Sequence, residues 1–455
     1  MKRARTQKAK VYAMTEGNIP GLLLVFTLPM LVGNLFQQFY NMVDSIIVGK
    51  YVSSNALAAV GTTGSINFLV FSLSFGMAAG IGIVVSQYFG AEDDGAVRRS
   101  ITNGMYVLML SAVVMGVLGI SLAPWVLRLL DTPEVILQDA ITYMRMTCLG
   151  IVAVAIYNGI SAILRALGDS RTPLYFLILS SVINILLDLL FVIKFDMSVF
   201  GVGLATVIAQ TAAAVGSAIY AFVSLPYFKF SREDLIPKQE IMNKCIRIGI
   251  PIAFQNSLIA ISCIVLQKVV NGFKEDVIAA NTALSRLEQL VQQPFNSLGA
   301  AISAFTGQNM GAGKTDRVKK AFWISTLYVA IFSAIMLVLA HLFGEAMVGM
   351  FVDNEDVIEI GAKGLKITSM FYFTLGMIYV TRNILNGAGD AGYAMINGFM
   401  ELIGRCGLSK PLTMIPALGV WGIFITTGLT WTITAIAGVI RYFKGKWKTK
   451  SIVNN

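Results

Sequence analysis

Two aspartates lie inside otherwise apolar stretches of this chain. Asp44 sits in NMVDSIIVG and Asp188 in SSVINILLDLLFV. Asn184 precedes Asp188 by four residues, so on a helix the amide and the carboxylate stack on one face. Thr206, in GLATVIAQ, adds a hydroxyl. Upstream of Asp44, the residues Asn34, Gln37, Gln38, Asn41, Asp44 and Ser45 recur by threes and fours, which draws one polar stripe along a helix. Carboxylate, amide and hydroxyl oxygens are hard ligands that suit an alkali cation. Two carboxylates in a low-dielectric pocket cannot both keep an uncompensated charge, so the same group would accept either Na+ or H+. A charge placed in hydrocarbon costs at least ~2.5–3.5 kcal/mol, and intramembrane carboxylates therefore tend to mark ion pathways.

The elements that carry these groups are hydrophobic helices. The chain has 455 residues, of which 56% are hydrophobic and 13% charged, with a mean hydropathy of +0.72. Soluble domains carry about 25% charged residues. The deficit points to an all-α polytopic membrane protein. Hydropathy gives twelve apolar segments between residues 20 and 443, among them 20–48, 135–164, 174–194, 277–308 and 357–386. The first is too long for a signal-peptide core and no cleavage site follows it, so it is read as retained. Most of the 35 basic residues fall on alternate loops and on both tails. That pattern predicts cytoplasmic termini and a cell-membrane location. The net charge of +10 then reflects topology and anionic lipid, with no nucleic-acid partner.

The halves repeat at an offset of about 221 residues. QYFGAEDDGAVRR (Gln87–Arg99) matches QNMGAGKTDRVKK (Gln308–Lys320), and ILRALGD (Ile163–Asp169) matches ILNGAGD (Ile384–Asp390). Pro29 and Pro251 fall early in the first helix of each half, where each can kink its helix. The organisation expected is a basic tail (1–19), an N-lobe (20–225), a cytoplasmic linker (226–244), a C-lobe (245–443) and a second tail (444–455). Parallel six-helix repeats about an axis along the membrane normal suit a transporter with its site between the halves.

The repeated Q-x-x-G-A loop, LRALGDSRTP, SRLEQLVQQPFNSLGAAISAFTGQNMGAG and NMVDSIIVG together resemble the multidrug and toxic compound extrusion (MATE) family over essentially the whole chain. The resemblance implies twelve helices in two pseudo-symmetric lobes around a central cavity. It also implies cation-driven antiport of amphiphilic, often cationic, compounds by a monomer, with no cofactor beyond the coupling ion. Asp44 matches the family's first-helix aspartate, and Asn184, Asp188 and Thr206 match the polar positions of its N-lobe cation site.

The C-lobe departs from that layout: Cys263 and Leu266 stand where the repeat would place Asn41 and Asp44. Its charges are Arg286 and Glu288 in helix 8, and Glu401 and Arg405, an i,i+4 pair suited to an internal ion pair. Gln37, Asn41, Arg286 and Glu288 are the candidate substrate contacts. Arg165 and Asp169 are read as structural or gating, with Asp169 expected to pair with Arg165 or Arg171. A lipid-linked saccharide flippase of the same superfamily is the alternative. It would be expected to show more cavity arginines, for which Arg286, Arg405 and Arg145 are the candidates. Four scattered cysteines without a CxxC pair and a single histidine, His341, give no framework for zinc or triad chemistry. GAGKTD lacks the upstream glycine of a phosphate-binding loop, so ATP drive is not expected.

Overall fold

A computed structural model describes residues 13–453; the basic residues Lys2, Arg3, Arg5, Lys8 and Lys10 of the first tail lie outside that range. Fourteen α-helices, and no strand, occur among the described residues. They are α1 (Ile19–Ile47), α2 (Ser54–Gly90), α3 (Asp94–Leu129), α4 (Glu134–Leu149), α5 (Ile151–Ala166), α6 (Arg171–Leu189), α7 (Ser198–Ser224), α8 (Gln239–Val270), α9 (Glu275–Gly311), α10 (Thr315–Gly349), α11 (Glu355–Ser369), α12 (Tyr372–Gly387), α13 (Gly392–Met414) and α14 (Trp421–Phe443).

Twelve predicted segments become fourteen helices because two of them break at equivalent places in the repeat. α4 and α5 meet at Gly150 with a bend of 44°. α11 and α12 part at Met370 and Phe371, where neither glycine nor proline announces a break. Eight helices are individually long and apolar enough to span a membrane, and the α4–α5 pair makes a ninth. α9, α13 and the α11–α12 pair complete the twelve; their amides and the charges Glu288, Glu401 and Arg405 lower their hydropathy. Large apolar side chains such as Leu110 and Val117 on α3, Val223 on α7, and Trp323 and Leu342 on α10 are exposed, as a lipid-facing surface requires.

Local chemistry sets several helix starts. Ser53, Asp93, Asp169 and Asn354 each accept a backbone N–H from the first turn that follows. Asp169 is fully used in this way: it takes the Arg171 and Thr172 N–H groups, both at 3.0 Å, and the Thr172 hydroxyl at 2.6 Å. The expected ion pair with Arg165 or Arg171 is absent, because the carboxylate is already satisfied by the helix it caps.

The lobes interlock through their first helices. The base of α1 packs Leu23 and Phe26 against Ala301 and Phe305 of α9, while α8 sends Ile248 and Ile252 into the N-lobe core. The α2–α8 crossing is the closer one. A Cβ at Gly76 would stand 2.5 Å from the Gly249 carbonyl oxygen, so the backbones meet there with no room for a side chain. The linker is not loose: Asp234 accepts from Arg98 Nε at 3.0 Å and from the Ser231 N–H and hydroxyl, and Lys238 N–H donates to Asn103 Oδ1 at 2.6 Å. α8 begins at Gln239, so the last residues of the predicted linker are helical.

At the end of the bundle that bears both tails, the two repeated motifs meet each other. Gln87 Nε2 donates to the Gly387 carbonyl and Gln308 Nε2 to the Ala166 carbonyl, both at 2.8 Å. Each glutamine reaches from its own lobe into the other. Each also accepts from a tail: Gln308 Oε1 from the Met14 N–H and Gln87 Oε1 from the Ile452 N–H, both at 2.7 Å. The motif glycines make this possible, since a Cβ on Gly90 would overlap the Gln308 backbone and one on Gly311 the Gln87 backbone.

Candidate functional site

α1, α6 and α7 converge on one polar cluster in the N-lobe. Asp44, Asn184 and Asp188 are buried, with Asp188 at 0% exposure. With the Asn184 amide turned to suit its partners, its nitrogen donates to Asp188 Oδ2 (3.2 Å) and Tyr40 Oη (2.9 Å), and its oxygen accepts from the Thr206 N–H (3.1 Å). The Thr206 hydroxyl donates to the Val202 carbonyl at 3.0 Å, which leaves its lone pairs facing the cluster. Asp44 Oδ1 and Asp188 Oδ1 have no hydrogen-bond partner among the described residues. The structure thus brings together the four residues Asp44, Asn184, Asp188 and Thr206. It adds two phenols that sequence reasoning missed, Tyr40 and Tyr143, both within electrostatic reach of the carboxylates. Tyr40 was findable: it stands four residues before Asp44 and so shares its face.

Both aspartate helices change pitch just beyond the carboxylate. α1 passes into a π-helical turn at Val48–Val52, and α6 does so at Leu190–Lys194. Each π turn closes its helix, the first before extended Ser53 and the second before Phe195. The Val48 N–H points back at the Asp44 and Ser45 carbonyls.

Two cavities lie between the lobes, the first of them along α1 below this cluster. One of about 340 Å³ is lined by Pro29, Asn34, Gln37, Tyr157 and Arg165 among others. The second, of about 230 Å³, is lined by Arg165, Arg382, Gln255, Asn296 and Asn383 among others. Arg165, Asn296 and Ala300 are common to both. Asn34 Nδ2 donates to Ser297 Oγ at 2.9 Å and joins the α1 stripe to α9. Of the candidate substrate contacts, only Gln37 lines either cavity. Asn41 is exposed on α1. Arg286 is exposed and points away from Glu288, as two residues apart on a helix must.

Glu288 belongs to a separate C-lobe cluster. Arg405 Nη1 donates to Ser262 Oγ (2.7 Å) and Cys263 Sγ (2.8 Å), while its approach to Glu401 is a loose 3.9 Å. Glu288 Oε1 has no hydrogen-bond partner among the described residues. The break between α11 and α12 sets Thr368 and Tyr372 beside this glutamate. Arg145 is exposed, donates to the Ile120 carbonyl and lines neither of the two cavities.

A family model described as MatE matches residues 29–190 and 251–404, once in each half of the chain. The chain is 29% identical over 446 residues to "Probable multidrug resistance protein YpnP" of Bacillus subtilis (strain 168), covering 97% of this chain and 99% of the relative. It is 21% identical over 438 residues to "Multidrug export protein MepA" of Staphylococcus saprophyticus, covering 95% of each. Crystal structures of a MATE in its straight and bent conformations superimpose with TM-scores of 0.90 and 0.89, both at 21% identity. They cover 97% and 96% of this chain, and 100% and 98% of their own. Twelve spans in two repeats, a polar cluster in one lobe and a cavity between lobes therefore sit on a shared fold, and the chain belongs to the MatE family of multi-pass multidrug transporters.

Proposed function

We propose that this transporter is a cation-coupled antiporter that exports amphiphilic drugs or toxic metabolites, cations among them, across the cell membrane. In this reading both termini are cytoplasmic, the working unit is a monomer, and Na+ or H+ is the coupling ion. The observation that carries it is the pair of unpartnered carboxylate oxygens on Asp44 and Asp188, held on separate helices. A cation or proton arriving from the outer side neutralises the pair, with Asn184 and Thr206 completing the oxygen set. The names borne by its relatives, multidrug resistance and multidrug export proteins, support drugs as the substrate class.

The energy transfer follows from two states. Neutralised carboxylates no longer need the polar surroundings of this cluster, and Pro29, which lines the cavity below, lets α1 bend there. Bending narrows the cavity, and drug binds the bent state less well. A coupling ion can drive export only through such a difference in affinity between states. The test is efflux of a fluorescent cationic dye from proteoliposomes, with sodium and proton gradients imposed separately. One gradient should drive efflux by the parent protein and neither should drive it by Asp44→Asn. Undiminished efflux by a correctly inserted Asp44→Asn variant would overturn the proposal.

A further inference from the structure

The floor of the central cavity has a charge pattern that the coupling site does not explain. Arg165 from α5 in the N-lobe and Arg382 from α12 in the C-lobe line the same 230 Å³ space. The other polar lining is neutral, chiefly Gln255, Asn256, Asn296 and Asn383, and no acidic residue lines this cavity or the one above it. Among the described residues neither guanidinium has an ion-pair partner. Arg382 lies over the Tyr379 ring, 4.7 Å from its centroid, a contact that holds the side chain beside the cavity. A guanidinium carries five N–H donors in a planar fork, so contact with one ring leaves donors enough to match a carboxylate or phosphate in two-pronged fashion.

Arginines near the cytoplasmic ends of spans ordinarily satisfy the positive-inside bias by facing water or headgroups. These two do not, because they turn inward onto a shared cavity, one from each lobe. Two like charges around one small space repel, and a low dielectric strengthens that repulsion. A bound anion would relieve it and would touch both lobes at once.

We infer that this floor is an anion subsite, so that the amphiphiles the transporter binds include ones with a carboxylate or phosphate group seated between Arg165 and Arg382. The inference rests on the export reading for the identity of the cavity, and adds the headgroup class. The amides supply further donors to the anion oxygens, and the polar α1 stripe leads from this floor towards Asp44. The chemistry fits a free amphiphilic anion and an anionic lipid headgroup equally.

Equilibrium binding to purified protein in nanodiscs tests it without requiring transport. The probes are dansyl-aminoundecanoic acid and the matching dansyl-undecyl-trimethylammonium, in bilayers of phosphatidylcholine with or without phosphatidylglycerol. The carboxylate probe should bind, and Arg165→Gln or Arg382→Gln should weaken it about tenfold or more, the scale of a lost charge-assisted contact. Arg382→Lys should keep part of the affinity, and the trimethylammonium probe should be unaffected or bind more tightly. Displacement of the carboxylate probe by phosphatidylglycerol identifies lipid as the occupant; indifference to it identifies a free anion. Either result supports an anion subsite. An anionic probe that fails to bind, or binds equally well to monodisperse glutamine variants, overturns it. Dye efflux is read separately: efflux that persists without anion binding rejects only this inference, and anion binding without efflux of any dye rejects only the export reading.

Discussion

Each carboxylate of the N-lobe cluster is set by its own helix, and on the proposed reading the two share a single coupling charge. Asp44→Asn and Asp188→Asn should each abolish gradient-driven efflux. The double variant should be no worse than either alone, because residues that work as a unit are not additive. Tyr40→Phe removes one hydrogen bond to the Asn184 amide and should slow efflux by roughly 2- to 10-fold, corresponding to about 1 kcal/mol. Outside the membrane, Asp234 gives a pH prediction of definite sign. Burial pushes its carboxyl pKa upward, but hydrogen bonds from Ser231 and the Arg98 guanidinium outweigh that and hold it below the usual carboxylate range. A depressed folded pKa stabilises the linker above the unfolded value of about 3.9, and the benefit fades as pH falls through the folded value. Asp234→Asn should therefore speed protease nicking of the linker at neutral pH, and its difference from the parent should vanish in acid. The cluster residues were legible because polar types at helical spacing stand out in apolar runs. Tyr143 was not, since an aromatic in such a run looks like any lipid-facing residue. That Arg165 and Arg382 line one cavity was not legible either, because hydropathy records where along a span a residue lies and not which way it points.

Helix length and helix contact impose separate demands. The α2–α8 crossing admits only glycine at Gly76, so Gly76→Val should cost about 1–3 kcal/mol or more by overpacking. Loss of a monodisperse peak and a lower Tm would register it. The π turn that ends α1 puts one residue more per turn between Asp44 and the extended Ser53, which offsets α1 from the start of α2 by about 100°. Deleting Gly49 should restore ordinary pitch, leave membrane insertion intact and turn Asp44 away from Asp188, with efflux lost. Cysteine crosslinking between positions 44 and 188 would report the rotation, and an unchanged crosslink yield would refute it. Almost all spans were legible as apolar segments with basic ends. The break at Met370–Phe371 was not, because it arises where Tyr372 packs beside Glu288 and no glycine or proline encodes it.

On the scale of the molecule, the closed end is a clasp made twice. Gln87 grips the Gly387 carbonyl and Gln308 grips the Ala166 carbonyl, with one tail seated on each. Removing both side chains by Gln87→Ala and Gln308→Ala should shift the lobes toward opening at that end by about 1–2 kcal/mol, a factor of 5–30 in the conformer ratio. A cysteine placed at Ser303, on the cavity floor, should then react faster with an impermeant maleimide added on the tail side. Labelling at the parent rate would refute the clasp. The sequence held both motifs and their offset, but not that each would bind the other's copy, since no local pattern encodes a contact across 300 residues. That reciprocity has an ancestral meaning. Residue i of one half touching j of the other, while j touches i, is the rule of an isologous two-fold interface. Each half therefore carries both the donor and the acceptor of its own clasp, as a six-helix homodimer would need before its gene was duplicated and fused.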